Sequence, residues 1–238
     1  MTYRVRRVTT TRAGGVSAPP YDTFNLGDHV GDDPKAVAAN RRRLAEATGL
    51  GADRVVWMNQ VHSAHVEVVD GPRSKAFDKT DALVTAQPRL ALAVVTADCV
   101  PVLMADARAG VVGAAHAGRV GAQNGIVLRT LEAMLELGAR AADISVLLGP
   151  AVSGRNYEVP REMAADVEVA LPGSVTVTAK GTPGLDLRAG IARQLKEFGV
   201  RAIDIDPRCT VDDAALFSHR RGAPTGRLAS LIWLEPQR

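Results

Sequence analysis

Runs of apolar residues along the chain predict a series of buried β-strands. Three lie in close succession in the middle of the sequence, at residues 90–96, 100–104 and 111–115, with a turn beginning at Ala107 between the last two. Shorter apolar or alternating runs predict strands at residues 3–9, 55–58, 65–69, 144–148, 175–178, 202–205 and 228–234. Residues 75–85, ahead of the central strands, have the polarity of a turn.

Helical spacing of apolar residues predicts helices between these strands. The clearest start signal is Asp33 as N-cap followed by Pro34, in a helix that ends at Gly49. Other helices are predicted at residues 125–137, over about a dozen residues after Pro160, and at residues 187–198. Because several strands follow one another directly, the pattern favours an α+β fold over a regular parallel sheet. No linker divides the chain, so we expect one catalytic domain over residues 1–238.

The amino-acid composition restricts the class of protein to which the chain can belong. The 238 residues are 46% apolar and 23% charged, which is typical of a globular protein, and no apolar run is long enough to span a bilayer. Aromatic residues make up 4% and the net charge is +3, so the sequence predicts no nucleic-acid partner. Two distant cysteines and an amino terminus without a signal-peptide core predict a cytoplasmic protein.

Candidate chemistry lies at the ends of the central strands. Cys99 follows the first strand, Pro101 favours a rigid bend there, and His116 follows the third strand. His62 and His65 would point to opposite faces of a strand, so only one of them is expected to join that site. A cysteine and two histidines match a catalytic zinc site with one open position.

Two other chemistries fit the same residue types. Cys99 could be a nucleophile with His116 as its base, or the set could bind copper. Five histidines are too few to hold the several coppers of a multicopper oxidase. Cys209 is interpreted as structural.

Two segments could bind an anion. Arg12 lies in a long irregular loop with paired glycines, although a solvated arginine in a turn is the commoner situation. Gly118–Arg119–Val120–Gly121 is a flexible turn that opens a helical pattern just after His116. Motifs of nucleotide-binding folds and classical serine hydrolases are absent from the sequence.

An ordered series of motifs resembles the bacterial YfiH family, also called the laccase-domain or peptidoglycan-editing-factor group. The series comprises residues 11–17 (TRAGGVS), 25–27 (NLG), 40–41 (NR), 60–63 (QVHS), 96–102 (TADCVPV), 116–118 (HAG), 185–187 (LDL), 209–210 (CT), 217–221 (FSHRR) and 225–227 (TGR). The resemblance covers essentially the whole chain, and a series in this order is far more specific than any single motif.

The resemblance implies a zinc site formed by His62, Cys99 and His116, and thereby favours His62 over His65. It also implies a mixed layered α/β/β/α domain. The substrates it implies are phosphate and a purine nucleoside (adenosine, inosine, guanosine or methylthioadenosine), with adenosine deamination as a second activity. Candidate substrate or phosphate contacts are Arg12, Asn25, Gln60, Asp98 and Arg119.

Two alternatives also follow from the resemblance. One is an amidase-like editor of cell-wall precursors that uses Cys99 as nucleophile, and the other is a copper-dependent polyphenol oxidase. The chain departs from the family at two places: Arg119 and Val120 stand where Trp and Arg are usual, and Gly222 stands where Asp is usual. Metal binding should survive both changes, whereas the ranking of purine substrates could differ.

Overall fold

Twelve β-strands and five α-helices form the fold in the computed structural model, which describes residues 3–237. The strands are β1 (Tyr3–Thr9), β2 (Val55–Val56), β3 (Val66–Val68), β4 (Ala82–Thr85), β5 (Ala91–Thr96), β6 (Val100–Asp106), β7 (Val111–Ala117), β8 (Ser145–Leu148), β9 (Val175–Val177), β10 (Pro183–Leu185), β11 (Ala202–Ile205) and β12 (Leu228–Pro236). The helices are α1 (Pro34–Thr48), α2 (Arg119–Gln123), α3 (Ile126–Glu136), α4 (Arg161–Ala170) and α5 (Leu187–Glu197).

The strands are arranged in three sheets. One has four strands in the order β1-β12-β5-β2, one has six in the order β11-β8-β6-β7-β4-β3, and β9 pairs with β10 in a small third sheet. The six-stranded sheet mixes parallel and antiparallel pairs, since β6 is antiparallel to both of its neighbours whereas β11 is parallel to β8. The prediction of an α+β fold with mixed strand connections is confirmed.

The two large sheets pack face to face. Leu92 of β5 and Ile232 of β12 meet Leu103 of β6 and Ala114 of β7 in a fully buried layer. On the opposite face of the four-stranded sheet, α1 packs against β5 and β12. The other helices cover the outer face of the six-stranded sheet. These layers give the α/β/β/α order, and they explain why the central strands are apolar on both faces.

Three local predictions need correction. β4 and β10 were not predicted: β4 is a four-residue apolar run directly behind a polar segment, and β10 contains Pro183 and Gly184. The strand predicted at residues 55–58 ends at Val56, and Met58 makes only an isolated bridge to Phe77. The predicted flexible turn after His116 is the short helix α2, which Asn124 and Gly125 separate from α3.

The Asp33 cap and the Gly49 stop of α1 are confirmed. The Asp33 carboxylate accepts the backbone N–H of Lys35, and Gly49 has a left-handed backbone with φ of 71°. Among the described residues, no helix is both long and apolar enough to cross a membrane.

Candidate metal centre and cavity

Three loop or strand-end residues meet at one edge of the sandwich. Cys99 lies in the bend between β5 and β6, as Pro101 predicts, and His116 lies near the end of β7. The β6–β7 register places Pro101 opposite His116, which brings the thiol beside the imidazole. His62 lies in the loop between β2 and β3. The ligand atoms of His62, Cys99 and His116 all lie within 4.8 Å of one another.

The spacing of these atoms fits a tetrahedral metal ion. Cys99 Sγ lies 3.7 Å from His62 Nε2. Zinc bonds to sulfur and nitrogen of ordinary length would separate two tetrahedral ligands by about 3.6 Å. The imidazoles of His62 and His116 are 4.7 Å apart between ring centroids at an interplanar angle of 72°. The group could therefore hold one metal ion through one thiolate and two imidazoles.

The buried carboxylate of Asp81 orients two of these ligands. Its Oδ1 lies 2.9 Å from His116 Nδ1, which leaves Nε2 of that ring to face the site. The same carboxylate accepts the backbone N–H groups of Val61, His62 and Ser63, and also the Ser63 hydroxyl. A carboxylate behind a metal-binding histidine fixes the tautomer and direction of its ring.

The His62 turn depends on this carboxylate. His62 has a φ of 61°, in the left-handed region that residues other than glycine seldom adopt. The backbone N–H bonds to Asp81 hold the turn in that conformation and so set the position of the imidazole. Burial opposes ionisation of Asp81, but hydrogen bonds from His116 and Ser63 lower its pKa to about 2.

Cys99 and His116 each favour the charged form of the other. Burial would raise the pKa of Cys99, but the neighbouring imidazoles of His116 and His62 outweigh it and lower that pKa to about 6. Burial would likewise lower the pKa of His116, but the Cys99 sulfur and the Asp81 carboxylate raise it to about 9. Near neutral pH the sulfur is therefore ionised and the His116 ring carries a proton.

Gly118 leaves room for the ligands. A Cβ at this position would lie 2.5 Å from His62 Cδ2 and 3.0 Å from Cys99 Sγ, so any larger residue would displace the group. The sequence resemblance includes this glycine, in the motif at residues 116–118, and the contact gives the physical reason for it.

Two other candidates lie outside the group. The exposed His65 ring pairs with Glu67 at 2.9 Å, so the structure brings His62 and not His65 to Cys99. Cys209 is buried, and its sulfur accepts hydrogen bonds from Ser153 N and Asn156 Nδ2. These contacts agree with a structural role for Cys209.

A cavity of about 350 Å³ opens onto the group. Its lining includes three arginines, Arg119, Arg220 and Arg227. None of the three forms an ion pair with an aspartate or glutamate in the part of the chain that the structure describes. By contrast, the partly buried Arg41 is 3.2 Å from Asp28. Although Asp98 also lines the cavity and interacts electrostatically with Arg227, arginines predominate in the lining, and the excess positive charge suits an anionic ligand.

Neutral contacts hold the three guanidinium groups in the cavity wall. Arg119 donates to Gln123 Oε1 and interacts with Tyr157. Arg220 donates to the Glu158 carbonyl, and its guanidinium carbon lies 4.8 Å from the Tyr157 ring centroid. Arg227 donates to two backbone carbonyls, and burial lowers its pKa. Uncharged partners orient a guanidinium without cancelling its charge.

Only some of the predicted substrate contacts line the cavity. Arg119, Gln60 and Asp98 line the cavity, whereas Arg12 and Asn25 do not. The Arg12 guanidinium is 3.0 Å from the Asp22 carboxylate and stacks on Phe217. It therefore has a partner already and lies away from the cavity.

Three of the predicted contacts have their polar atoms engaged by the protein. The Gln60 amide bonds both the N–H and the carbonyl of Val95. The buried Asn25 amide bonds Gly27, Asp32 and the Arg227 N–H. Asp98 accepts three hydrogen bonds from residues 210–220. These side chains position loops around the cavity.

Sequence reasoning missed several residues that form the site. Asp81 lies within residues 75–85, whose polarity predicts only a turn. Most of its partners are backbone N–H groups, which no side-chain motif reveals. His219 and Arg220 lie in the motif at residues 217–221, and Arg227 lies in the motif at residues 225–227. The sequence alone assigned a role to none of these side chains, although all three line the cavity. The signal that could have identified them is the concentration of cations in otherwise polar, irregular residues 209–227.

Comparisons with known proteins cover nearly the whole chain. Residues 6–235 match a family model described as multi-copper polyphenol oxidoreductase laccase. A Mycobacterium tuberculosis protein named purine nucleoside phosphorylase is 75% identical over 232 residues, covering 98% of this chain and 93% of that relative. A Corynebacterium glutamicum protein with the same activity in its name is 60% identical over 232 residues, covering 97% and 94%.

Solved structures show the same fold. The hypothetical protein YfiH of Bacillus licheniformis superposes with a TM-score of 0.91 at 32% identity, covering 97% of this chain and 93% of its own. A Neisseria meningitidis protein of the DUF152 family superposes with a TM-score of 0.88 at 36% identity, covering 99% of each chain.

Replacing the carboxylate behind His116 should weaken metal binding. Asp81→Asn keeps the shape of the side chain but removes its charge, and its single acceptor oxygen cannot accept every hydrogen bond that the carboxylate accepts. Zinc affinity should therefore fall about 10- to 100-fold. Competition with a chromogenic zinc chelator measures this change. Asp78→Asn, at an exposed position, is the matched control and should bind zinc like the wild type. An unchanged affinity for folded Asp81→Asn would contradict the positioning role.

Zinc binding should release about one proton near neutral pH. The thiolate is already formed there, whereas the His116 ring must lose its proton to bind metal. Affinity should therefore rise about tenfold per pH unit between about pH 6 and 9, and more steeply below that range, where Cys99 is also protonated. Calorimetric titrations in buffers of different ionisation enthalpy count the protons. A count near zero would show that no imidazolium is displaced.

Proposed function

Because the chain belongs to the YfiH/DUF152 family, whose model is described as a multi-copper polyphenol oxidoreductase laccase, we propose that it is a zinc-dependent purine nucleoside phosphorylase. The names of its relatives support phosphorolysis as the activity. We propose adenosine, inosine, guanosine and methylthioadenosine as nucleoside substrates, with deamination of adenosine as a second activity.

The observation that carries the proposal is the set of three arginines without acidic partners beside the metal-binding group. Asp98 and Cys99 also line the cavity and interact electrostatically with Arg227, yet no carboxylate forms an ion pair with any of the three guanidinium groups. The excess positive charge favours binding of a dianion such as phosphate. Arg119, Arg220 and Arg227 thus replace Arg12 as the proposed phosphate contacts. A planar guanidinium suits this task, since it donates two parallel hydrogen bonds to phosphate oxygens.

Phosphorolysis requires the cavity residues to bind phosphate beside the ribose and to supply a proton to the leaving purine. The arginines hold phosphate against the ribose, so that a phosphate oxygen bonds to C1′ while the bond from C1′ to the purine nitrogen breaks. The purine leaves with the bonding electrons and must accept a proton. His29 and His219 line the same cavity, and an imidazole of either can donate that proton. The products are ribose-1-phosphate and the free base.

The donor set fits zinc. One thiolate and two imidazoles leave a fourth tetrahedral position open, the arrangement of catalytic rather than structural sites. A zinc ion held there would supply Lewis acidity and lower the pKa of a bound water, which is the chemistry that adenosine deamination needs. His62, Cys99 and His116 would hold the ion, and Asp81 would maintain the directions of the two histidines.

Copper binds the same donor types, and a copper-dependent polyphenol oxidase is the activity in the family description. Among residues 3–237, the group at Cys99 is the one cluster of three or more His, Cys, Asp or Glu side chains that could hold a metal. A multicopper oxidase needs further copper sites, so we favour zinc.

A second candidate function rests on the Asp81–His116–Cys99 alignment. The carboxylate orients the imidazole, and the imidazole lies beside an ionised thiol, which is the arrangement of a cysteine nucleophile with its base. This geometry would suit an amidase acting on cell-wall precursors. His62 has no necessary part in that mechanism, and this difference provides a test.

Substitutions separate metal chemistry from a cysteine nucleophile. Cys99→Ala, His62→Ala and His116→Ala should each lose zinc and phosphorolysis together, because each removes one of three ligands. Zinc content and chromatography of ribose-1-phosphate, free base and inosine measure the two losses. Cys209→Ala and His65→Ala are the matched controls and should retain both properties. An active His62→Ala protein, or a chelated wild type with full activity, would favour the nucleophile instead.

Neutralising a cavity arginine should weaken phosphate binding selectively. Arg119→Gln and Arg220→Gln each remove one charged donor, so the KM for phosphate should rise about 10- to 100-fold while zinc content stays at the wild-type level. Arg129→Gln, on the exposed face of α3, is the control. Steady-state assays at varied phosphate measure the effect. A KM for phosphate equal to the wild-type value in both variants would show that phosphate binds elsewhere.

A further inference from the structure

Asp98 connects the metal-binding bend to the cationic wall of the cavity. It immediately precedes Cys99, and its Oδ1 accepts hydrogen bonds from the hydroxyls of Thr210 at 2.6 Å and Ser218 at 2.7 Å. Its Oδ2 accepts the backbone N–H of Arg220 at 2.7 Å. Both oxygens are therefore occupied by groups of the carboxyl-terminal segment.

The backbone of Asp98 is held in an unfavourable conformation. Its φ is 100°, which residues with a side chain rarely adopt. The Asp98 carbonyl also accepts the N–H of Val152, which ties the bend to the loop after β8. A residue kept in this region implies that the surrounding contacts fix it there, and the three carboxylate hydrogen bonds provide such contacts.

Residues 216–222, here called the arginine segment, form a packed unit of their own. The Arg221 guanidinium donates to the carbonyls of Thr210, Asp213 and Leu216. Leu216 and Phe217 are fully buried in a small cluster with Ala97 and Leu228. The segment thus has polar and apolar contacts besides those to Asp98, while its hydrogen bonds to the metal-binding bend are made to this carboxylate.

The arginine segment carries two residues that line the cavity, His219 and Arg220. Arg220 is exposed, and its side chain is steadied by the Glu158 carbonyl and the Tyr157 ring. Its backbone N–H is the atom that Asp98 holds. A shift of about 1 Å in such a backbone atom is enough to spoil bidentate contact with a ligand.

We infer that Asp98 is a positioning residue that sets the distance between the Cys99 metal ligand and the Arg220 phosphate contact. This inference rests on the proposed phosphorylase function. We assign Asp98 a positioning role rather than direct contact with phosphate, because its carboxylate would repel the dianion and both of its oxygens already accept hydrogen bonds from the protein. Its donors are neutral, so the carboxylate fixes Arg220 without forming an ion pair that would compete with phosphate.

Asp98→Gly is the sharpest test, because glycine adopts the positive φ of this position without strain while the carboxylate and its hydrogen bonds are lost. The KM for phosphate should rise about tenfold or more, with kcat at saturating phosphate within a few-fold of the wild-type value and zinc content unchanged. Ser218→Ala removes one of the three hydrogen bonds and should give a smaller change in the same direction. Asp70→Gly, at an exposed aspartate outside the helices and strands, is the control.

Hydrogen–deuterium exchange gives a readout that does not depend on catalysis. Backbone amides of the arginine segment, Arg220 above all, should exchange faster in Asp98→Gly than in the wild type. If the wild type lacks phosphorolysis, the proposed function fails, yet the exchange result still tests the link. Unchanged exchange, an unchanged KM for phosphate in an active enzyme, or loss of zinc in Asp98→Gly would overturn the positioning role.

Discussion

The candidate site depends on the hydrogen bonds that the buried carboxylate of Asp81 accepts. A charge inside an apolar sandwich is tolerable only when hydrogen bonds satisfy it, and here backbone donors of residues 61–63, the Ser63 hydroxyl and the His116 ring do so. The same bonds hold His62 in a left-handed turn and direct the free nitrogen of His116 toward Cys99. One carboxylate thus positions two of the three residues that could bind a metal.

The sheets supply the rigid frame for this arrangement. Asp81 directly precedes β4, and its carbonyl accepts the backbone N–H of His116 in β7. The antiparallel register of β6 and β7 places the Cys99 bend beside that histidine. The cationic wall is made differently, from residues outside regular structure such as Arg220 and Arg227. Arginines that form no ion pair lie next to a sulfur that could bind a metal, and this juxtaposition is the basis for proposing phosphate as a substrate.

The sequence predicted the fold better than the site. Long apolar runs and the capped helix α1 were identified because burial and capping leave local signals, whereas β4 and β10 were missed because their runs are short and mixed with polar residues or proline. Cys99 and His116 stood out through their rarity and the nearby Pro101. Asp81 could not be identified, since its partners are backbone groups, and the pairing of Arg12 with Asp22 depends on loop conformation.

X-ray absorption at the zinc edge tests the central claim most directly, because it reports the ligands of the metal without assuming an activity. Protein purified without added metal should give one sulfur neighbour at about 2.3 Å and two imidazole nitrogens at about 2.0–2.1 Å, with a further light-atom ligand. A spectrum without sulfur, or with copper as the stoichiometric metal, would contradict a zinc site formed by His62, Cys99 and His116.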